Sequence, residues 1–442
     1  MLLESQFFSF LPLPGIRHSD NRKKVIVKQI VCYLRGMFKK LKKAIGSNLD
    51  VIFVGLLMLC VFLFIIFVHY VDSDMRPHAE GARLMLQKHC LFRGNFLMYF
   101  VVNLLSGFSG STKLTKFFLA LLIALSNTGK YVIVREAFGQ YCPKGIARLF
   151  SFALLFVFVI PILWFLELLG LYKNPMWLPG VLNLGYYVPN IWHNSTILCS
   201  MPFAILTYLL SLKQFDGFQM GRNGMIALFA AIGTLIKPSF FFTWMVAFPI
   251  VMFVRCRAKK EFWYSLIPVA ICGICVLYEF FSVYFTPPLI TIDPKYGDSS
   301  SSTIISIFES PVTVFWKNYC LHLLFVFLFP LVFVLSYWAE IRKDKEFWFV
   351  CILMIVAIGI DWFCHETGAR AGHGNFSWQL IPCMWFVFYY ILKVVVKSDF
   401  SIDENGLIKV ANRGRLFLII YLFHVLAGLW FLSRYLLTGF YC

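Results

Sequence analysis

The chain has 442 residues, 60% of them hydrophobic and only 14% charged, with a mean hydropathy of +0.76. Soluble domains carry roughly a quarter charged residues, so a soluble fold is excluded: it could not hide this much apolar surface. The formal net charge of +18 is large enough for a nucleic-acid binder, but its distribution argues against one. Within residues 1–48, Arg17, Arg22, Lys23, Lys24, Lys28, Arg35, Lys39, Lys40, Lys42 and Lys43 face only Glu4 and Asp20, directly ahead of the first long apolar run. That is the positive-inside pattern of a cytoplasmic tail, drawn also to anionic headgroups, and no nucleic-acid partner is expected.

From Leu49 onward, apolar runs of about 20 residues recur, each long enough for a ~30 Å hydrocarbon core. No alternating pattern of a barrel is present, so the spans are helices, which satisfy their own backbone. The expected fold class is all-α: a polytopic helical membrane protein of about 11–12 transmembrane helices. Residues 1–48 form the tail and 49–442 a single transmembrane domain. The short apolar stretch Phe7 to Leu13 is broken by Pro12 and followed by Pro14, so the first span, 49–70, is expected to act as the targeting signal. Loop 71–92 is polar enough for a surface helix. In 93–147 two apolar runs, 96–110 and 114–127, precede Lys130, Arg135, Lys144 and Arg148. Those cations call for the inside and hence an odd number of crossings, so one run lies along the surface or the basic loop breaks the rule. Further spans are expected at 148–170, 196–212, 223–237, 238–254, 262–285, 314–339, 347–364, 377–396 and 415–437.

Three later loops are basic: Arg255, Arg257, Lys259 and Lys260; Arg342, Lys343 and Lys345; and Lys397, Lys409, Arg413 and Arg415. They are assigned to the cytoplasm, which places loops 71–92, 171–195, 286–313 and 365–376 outside. The thirteen Cys, among them Cys60, Cys199, Cys275 and Cys351, lie mostly inside apolar runs and read as small hydrophobes. No phosphate-binding glycine loop occurs in a strand-to-helix context, so any chemistry must use a substrate already in the membrane.

Charges inside spans are costly and usually mark function. Glu167, Lys237, Glu279 and Asp361 fall near the outer ends of theirs. The outer loops add Asp72, Asp74, His78 and Glu80 in DSDMRPHAEG, His193 and Asn194 in PNIWHNST, and His365, Glu366, Arg370, His373 and Asn375 in HETGARAGHGNFSW. One such residue reads as an interfacial anchor; five segments doing so at one depth point to a shared, water-filled cavity. An acidic residue there can take a proton from an acceptor hydroxyl, while Lys237, His193, Arg370 or His373 can hold a phosphate leaving group. Lys237 precedes Pro238 and Ser239, which predicts a helix break whose free N–H groups also favour an anion. The spacing of His365, Glu366 and His373 matches no standard zinc pattern; no metal site is assigned, and metal dependence stays open. The sequons at Asn194 and Asn375 abut the membrane and are common by chance.

A many-span chain with an acidic residue directly after its first span and no soluble nucleotide-sugar domain resembles the GT-C superfamily of membrane glycosyltransferases. Asp72, Asp74 and His78 carry the resemblance, and PNIWHNST, IKPSF and GARAGHGNFSW are similar to segments of bacterial surface-polysaccharide assembly proteins. The resemblance implies a polyprenyl-phosphate-linked sugar donor and a glycan or lipid-linked acceptor, in a bacterial plasma membrane; a divalent metal is possible but not indicated. It implies a catalytic carboxylate at Asp72 or Asp74, and phosphate or sugar contacts among His78, Glu80, His193, Asn194, Lys237, Glu366, Arg370, His373 and Asn375. Two alternatives share these features. One is a flippase or transporter of lipid-linked saccharide, which needs polar groups along the whole path, whereas the charges here stay near one end. The other is an oligosaccharide polymerase or ligase.

Overall fold

A computed structural model describes residues 48–87, 96–162, 166, 169–171, 187–284, 305–307, 316–366, 375–402 and 408–441. The chain divides into two compact units at residue 52. Of the first, only 48–52 are described, the entry to the first helix; the second, 53–442, carries the rest of the structure.

Thirteen helices are described: α1 (Leu49–Phe67), α2 (Met75–Gln87), α3 (Phe96–Leu105), α4 (Thr112–Phe138), α5 (Lys144–Phe156), α6 (Ser195–Asp216), α7 (Met220–Ile236), α8 (Ser239–Cys256), α9 (Lys260–Tyr284), α10 (Trp316–Ile341), α11 (Lys345–Phe363), α12 (Leu380–Asp399) and α13 (Asn412–Thr438). Two antiparallel ribbons join them: β1 (Ile305–Ile307) pairs with β2 (Cys364–Glu366), and β3 (Phe400–Ile402) with β4 (Ile408–Val410). The protein is an all-α, polytopic membrane protein. Among the described residues nine helices are long and apolar enough to cross a bilayer: α1, α4, α6, α8, α9, the 323–341 part of α10, α11, α12 and α13. Nine of the cysteines in the described segments are free.

Three of the helices, α4, α6 and α11, start where a polar side chain caps a free N–H group. The Asn194 side chain accepts from Ile197 N at 3.1 Å to open α6, and that of Asp344 accepts from Glu346 N at 2.9 Å to open α11. Internal Pro202, Pro249, Pro268 and Pro330 are carried within α6, α8, α9 and α10, as packed membrane helices tolerate. The core is built around α12, whose apolar stretch is 89% buried against 22% for α9. Tyr208 of α6 stacks on Phe386 of α12 at 4.2 Å between ring centroids and on Phe349 of α11 at 5.5 Å.

Contacts define the two ends of this bundle. At one, Asp72 N donates to Gly439 O just after α13, and Ser73 donates to His193 O just before α6. At the other, Tyr337 of α10 and Arg413 of α13 both donate to Asp399 at the end of α12, and Tyr141, after α4, lies under Lys393 and Lys397. The three basic loops all lie at this second end.

The structure decides the stretch that the sequence leaves open. α3 has 10 residues, about 15 Å at 1.5 Å per residue, half of the length a bilayer needs. It runs beside α2 at the Asp72 end, where Asn103 Nδ2 donates to Ala82 O at 2.8 Å. Only α4 then crosses, and at 27 residues it contains Lys130 and Arg135. The expectation that these cations occupy a loop is therefore corrected. The expected span at 148–170 is also corrected: α5 ends at Phe156, and Val157, Phe158 and Val159 continue as buried non-helical chain. This segment lies against α13 so closely that a Cβ on Gly428 would stand 1.6 Å from Phe156 O.

Candidate active site

After α1 the chain turns under Arg76, whose guanidinium donates to Val68 O at 2.9 Å and to Val71 O. These bonds satisfy carbonyls that the helix end leaves free and set the direction in which Asp72 emerges. Asp72 is exposed, but its backbone is held on both sides: its N–H reaches Gly439 O at 2.7 Å, and Tyr435 donates to its carbonyl at 2.5 Å. Gly439 has a left-handed φ of 78°, and a Cβ there would meet Tyr70 O at 2.2 Å. Only glycine fits that close passage.

Two residues on, Asp74 is half-buried and accepts from Asn194 Nδ2 at 2.9 Å. The other end of the Asn194 amide caps α6 and accepts from Thr196 at 2.8 Å, so the amide cannot turn and its N–H stays aimed at the carboxylate. Between the acids, Ser73 caps Met75 N at 3.1 Å and donates to His193 O at 3.1 Å. Asp72, Asp74, His193 and Asn194 are thus brought together from segments 120 residues apart in sequence.

Two histidines complete the cluster. His78, one turn into α2, shares a 2.6 Å hydrogen bond with the Tyr99 hydroxyl of α3. It reaches solvent in part but lies deep among protein atoms; that burial lowers its pKa to about 4, with Asp74 pulling up and Lys237 pushing down. His193 is lowered to about 4 by burial, against the opposite pull of Asp74 and Asp72. Its Nδ1 is buried with no hydrogen-bond partner among the described residues, and its ring lies 3.5 Å from that of Tyr441 and 5.8 Å from that of Trp378. Both imidazoles are neutral at pH 7.

The expected break at Lys237 is present. α7 ends at Ile236, Lys237 is extended at φ −161° and ψ 116°, and α8 begins at Ser239. The Lys237 ammonium lies over the Trp378 ring at 5.5 Å, and the His193 ring neighbours the same indole at 5.8 Å. The result is a set of carboxylates, neutral imidazoles and a cation, walled by Trp378, Tyr435, Tyr441 and Tyr99.

The remaining expected residues are placed differently. The Glu80 carboxylate is taken by Arg83 on the same helix, at 2.9 Å, which lowers its pKa. Glu366 is buried on β2 and accepts from Asn375; this pair connects to the cluster through the short turn from Asn375 to Trp378. Asp361 is buried and accepts from Tyr187 at 3.0 Å. Arg370, His373 and Glu167 lie outside the described residues, as does the side chain of His365. Among the described residues no group of three or more His, Cys, Asp or Glu side chains is placed to hold a metal.

A second polar centre, not anticipated from the sequence, lies below the first. Lys130 is 3% exposed; its amine donates to Asn190 Oδ1 at 2.7 Å and lies over the Trp385 ring at 4.8 Å. Asn190 Nδ2 donates to Leu154 O at 3.2 Å and Val157 O at 2.8 Å, and Trp385 Nε1 also reaches Leu154 O. His424 and Phe158 exchange two bonds, ring to carbonyl at 2.7 Å and backbone to backbone at 3.0 Å. These groups satisfy the chain where α5 stops inside the bundle; irregular backbone at membrane depth is tolerated when buried in protein in this way.

No protein-family profile and no curated protein matches the chain. Among solved structures it is similar to ArnT from Cupriavidus metallidurans, solved bound to undecaprenyl phosphate, with 13% identity, a TM-score of 0.44, and coverage of 89% of this chain and 71% of that one.

Proposed function

We propose that the protein is a membrane glycosyltransferase that moves a sugar from a polyprenyl-phosphate donor to a lipid-linked or cell-surface glycan acceptor at the outer face of a bacterial plasma membrane. The observation that carries this reading is Asp74, aimed by a locked Asn194 amide, in one cluster with two neutral histidines and with Lys237 at a helix break. In the reaction, the Asp74 carboxylate takes the proton of the acceptor hydroxyl as its oxygen bonds to the anomeric carbon. The bond from that carbon to the phosphate oxygen breaks, and the lipid phosphate leaves with the electron pair. Lys237 and the first N–H groups of α8 stabilise the charge that develops on it. Asp72, at the exposed rim, faces the acceptor, and the aromatic wall offers Trp378 and Tyr441 as surfaces for a sugar ring. Arg370, His373, Glu366 and Asn375 are proposed as further phosphate or sugar contacts.

The test is transfer of radiolabelled sugar from a panel of synthetic polyprenyl-phosphate sugars by the purified protein in lipid. Wild-type transfer that disappears in Asp72→Asn/Asp74→Asn supports the assignment. Normal turnover in both Asp72→Ala and Asp74→Ala sinks it, and a folded protein inactive with every donor shifts the reading to a flippase or an oligosaccharide polymerase.

A further inference from the structure

At the end of the bundle opposite Asp72, a cleft of about 430 Å³ opens between α8 and α11, within the size range of small-ligand sites. Its walls divide by chemistry. One half is cationic, formed by Arg255, Lys343 and Lys345; the other is aliphatic, formed by Ile250 and Val254, which are 44% and 60% exposed and continue the lipid-facing surface of α8. Trp348 stands between the halves with its indole N–H fixed on Arg342 O at 2.9 Å. Exposed Trp263 and Trp338 at the same end mark the depth of the headgroups, where Trp concentrates. The cations are only partly engaged by the protein: Lys345 pairs with Asp216, Arg255 Nε reaches Phe215 O at 3.2 Å, and Lys343 is exposed.

We propose that this cleft binds an anionic phospholipid, its phosphate among Arg255, Lys343 and Lys345 and its acyl chain along Ile250 and Val254. A free phosphate would use only the cations and an uncharged lipid only the aliphatic wall; an anionic diacyl lipid engages both halves at the depth where its headgroup resides.

The test titrates the purified protein in detergent, at physiological ionic strength, with dioleoylphosphatidylglycerol, dioleoylphosphatidylcholine or inorganic phosphate, reading the apparent unfolding temperature. Phosphatidylglycerol is expected to stabilise selectively. Its half-saturating concentration should rise about 30-fold in Arg255→Gln/Lys343→Gln and stay within about twofold in Lys259→Gln/Lys260→Gln, two exposed cations outside the cleft. Lys343→Gln alone, at an exposed position, gives a smaller shift in the same direction should the double variant fold poorly. Equal stabilisation by phosphatidylcholine, reproduction of the effect by phosphate alone, an unshifted cleft variant or an equally shifted control each overturns the proposal.

Discussion

Asp72 and Asp74 are chemically alike, and their surroundings separate them. A general base works best when a second group fixes its orientation, and Asn194 does this for Asp74 alone, since its amide is held at the other end by α6. Asp74→Asn is therefore expected to lower kcat/KM by about 10²–10⁴-fold, with Asp72→Asn costing less and Asn194→Ala intermediate. Steady-state transfer assays on the three variants rank them, and an Asp72→Asn defect larger than that of Asp74→Asn would exchange the two roles. The histidines make a separate prediction about stability. Folding holds His78 and His193 near a pKa of 4, against about 6.5 in an unfolded chain. As pH falls from about 6.5 to 4, the unfolded chain takes up protons that the folded one refuses, so stability is lost over that window and levels off below it. The apparent unfolding temperature should drop between pH 7 and 4.5, and the drop should shrink in His78→Asn/His193→Gln.

Helix positions follow from hydropathy, which is why every described span has its counterpart in the apolar runs. Hydropathy cannot see dihedral angles, however. The run through Val157 to Pro161 is as apolar as a span because it is buried, yet its backbone is irregular and its carbonyls are held by Asn190 and His424. Lys130 looks like a loop residue for the complementary reason: its partner is 60 positions away, beyond the reach of any local pattern. The acidic motif and PNIWHNST are legible because their polar residues are conspicuous within apolar sequence. Gly439, Tyr435 and Tyr441 are not, because their roles exist only once α13 returns the end of the chain to Asp72. The α5 break also assigns Asn190 a structural cost. Asn190→Ala leaves the Lys130 amine and the Val157 carbonyl buried without partners, a loss on the order of 3 kcal/mol. Lys130→Met removes one donor and fills its own space, so it is expected to destabilise less. Thermal unfolding of both variants in detergent measures the difference, and equal losses would mean that Asn190 does not hold the break.

For the whole molecule, the arrangement turns on charge and on one short helix. All three basic loops share the end marked by Asp399 and Arg413, and the acidic cluster lies at the other, so the orientation we propose from the positive-inside rule has Asp72 outside. α3 is too short to cross at 10 residues and stays beside α2, bonded through Asn103. The loop after it, with exposed Ser109, then faces the same side as Asp72. Were α3 a crossing helix, Ser109 would face the cytoplasm, α4 would run in the opposite direction, and Tyr141 could not lie beneath Lys393 and Lys397. In a cysteine-free background, Ser109→Cys is therefore expected to react with a membrane-impermeant thiol reagent in intact spheroplasts, while Lys259→Cys reacts only after permeabilisation. Labelling of both from the same side would break the link between α3 and the outer face. Labelling in the reverse order would turn the molecule over and put the acidic cluster in the cytoplasm, where a donor presented at the outer face could not reach it.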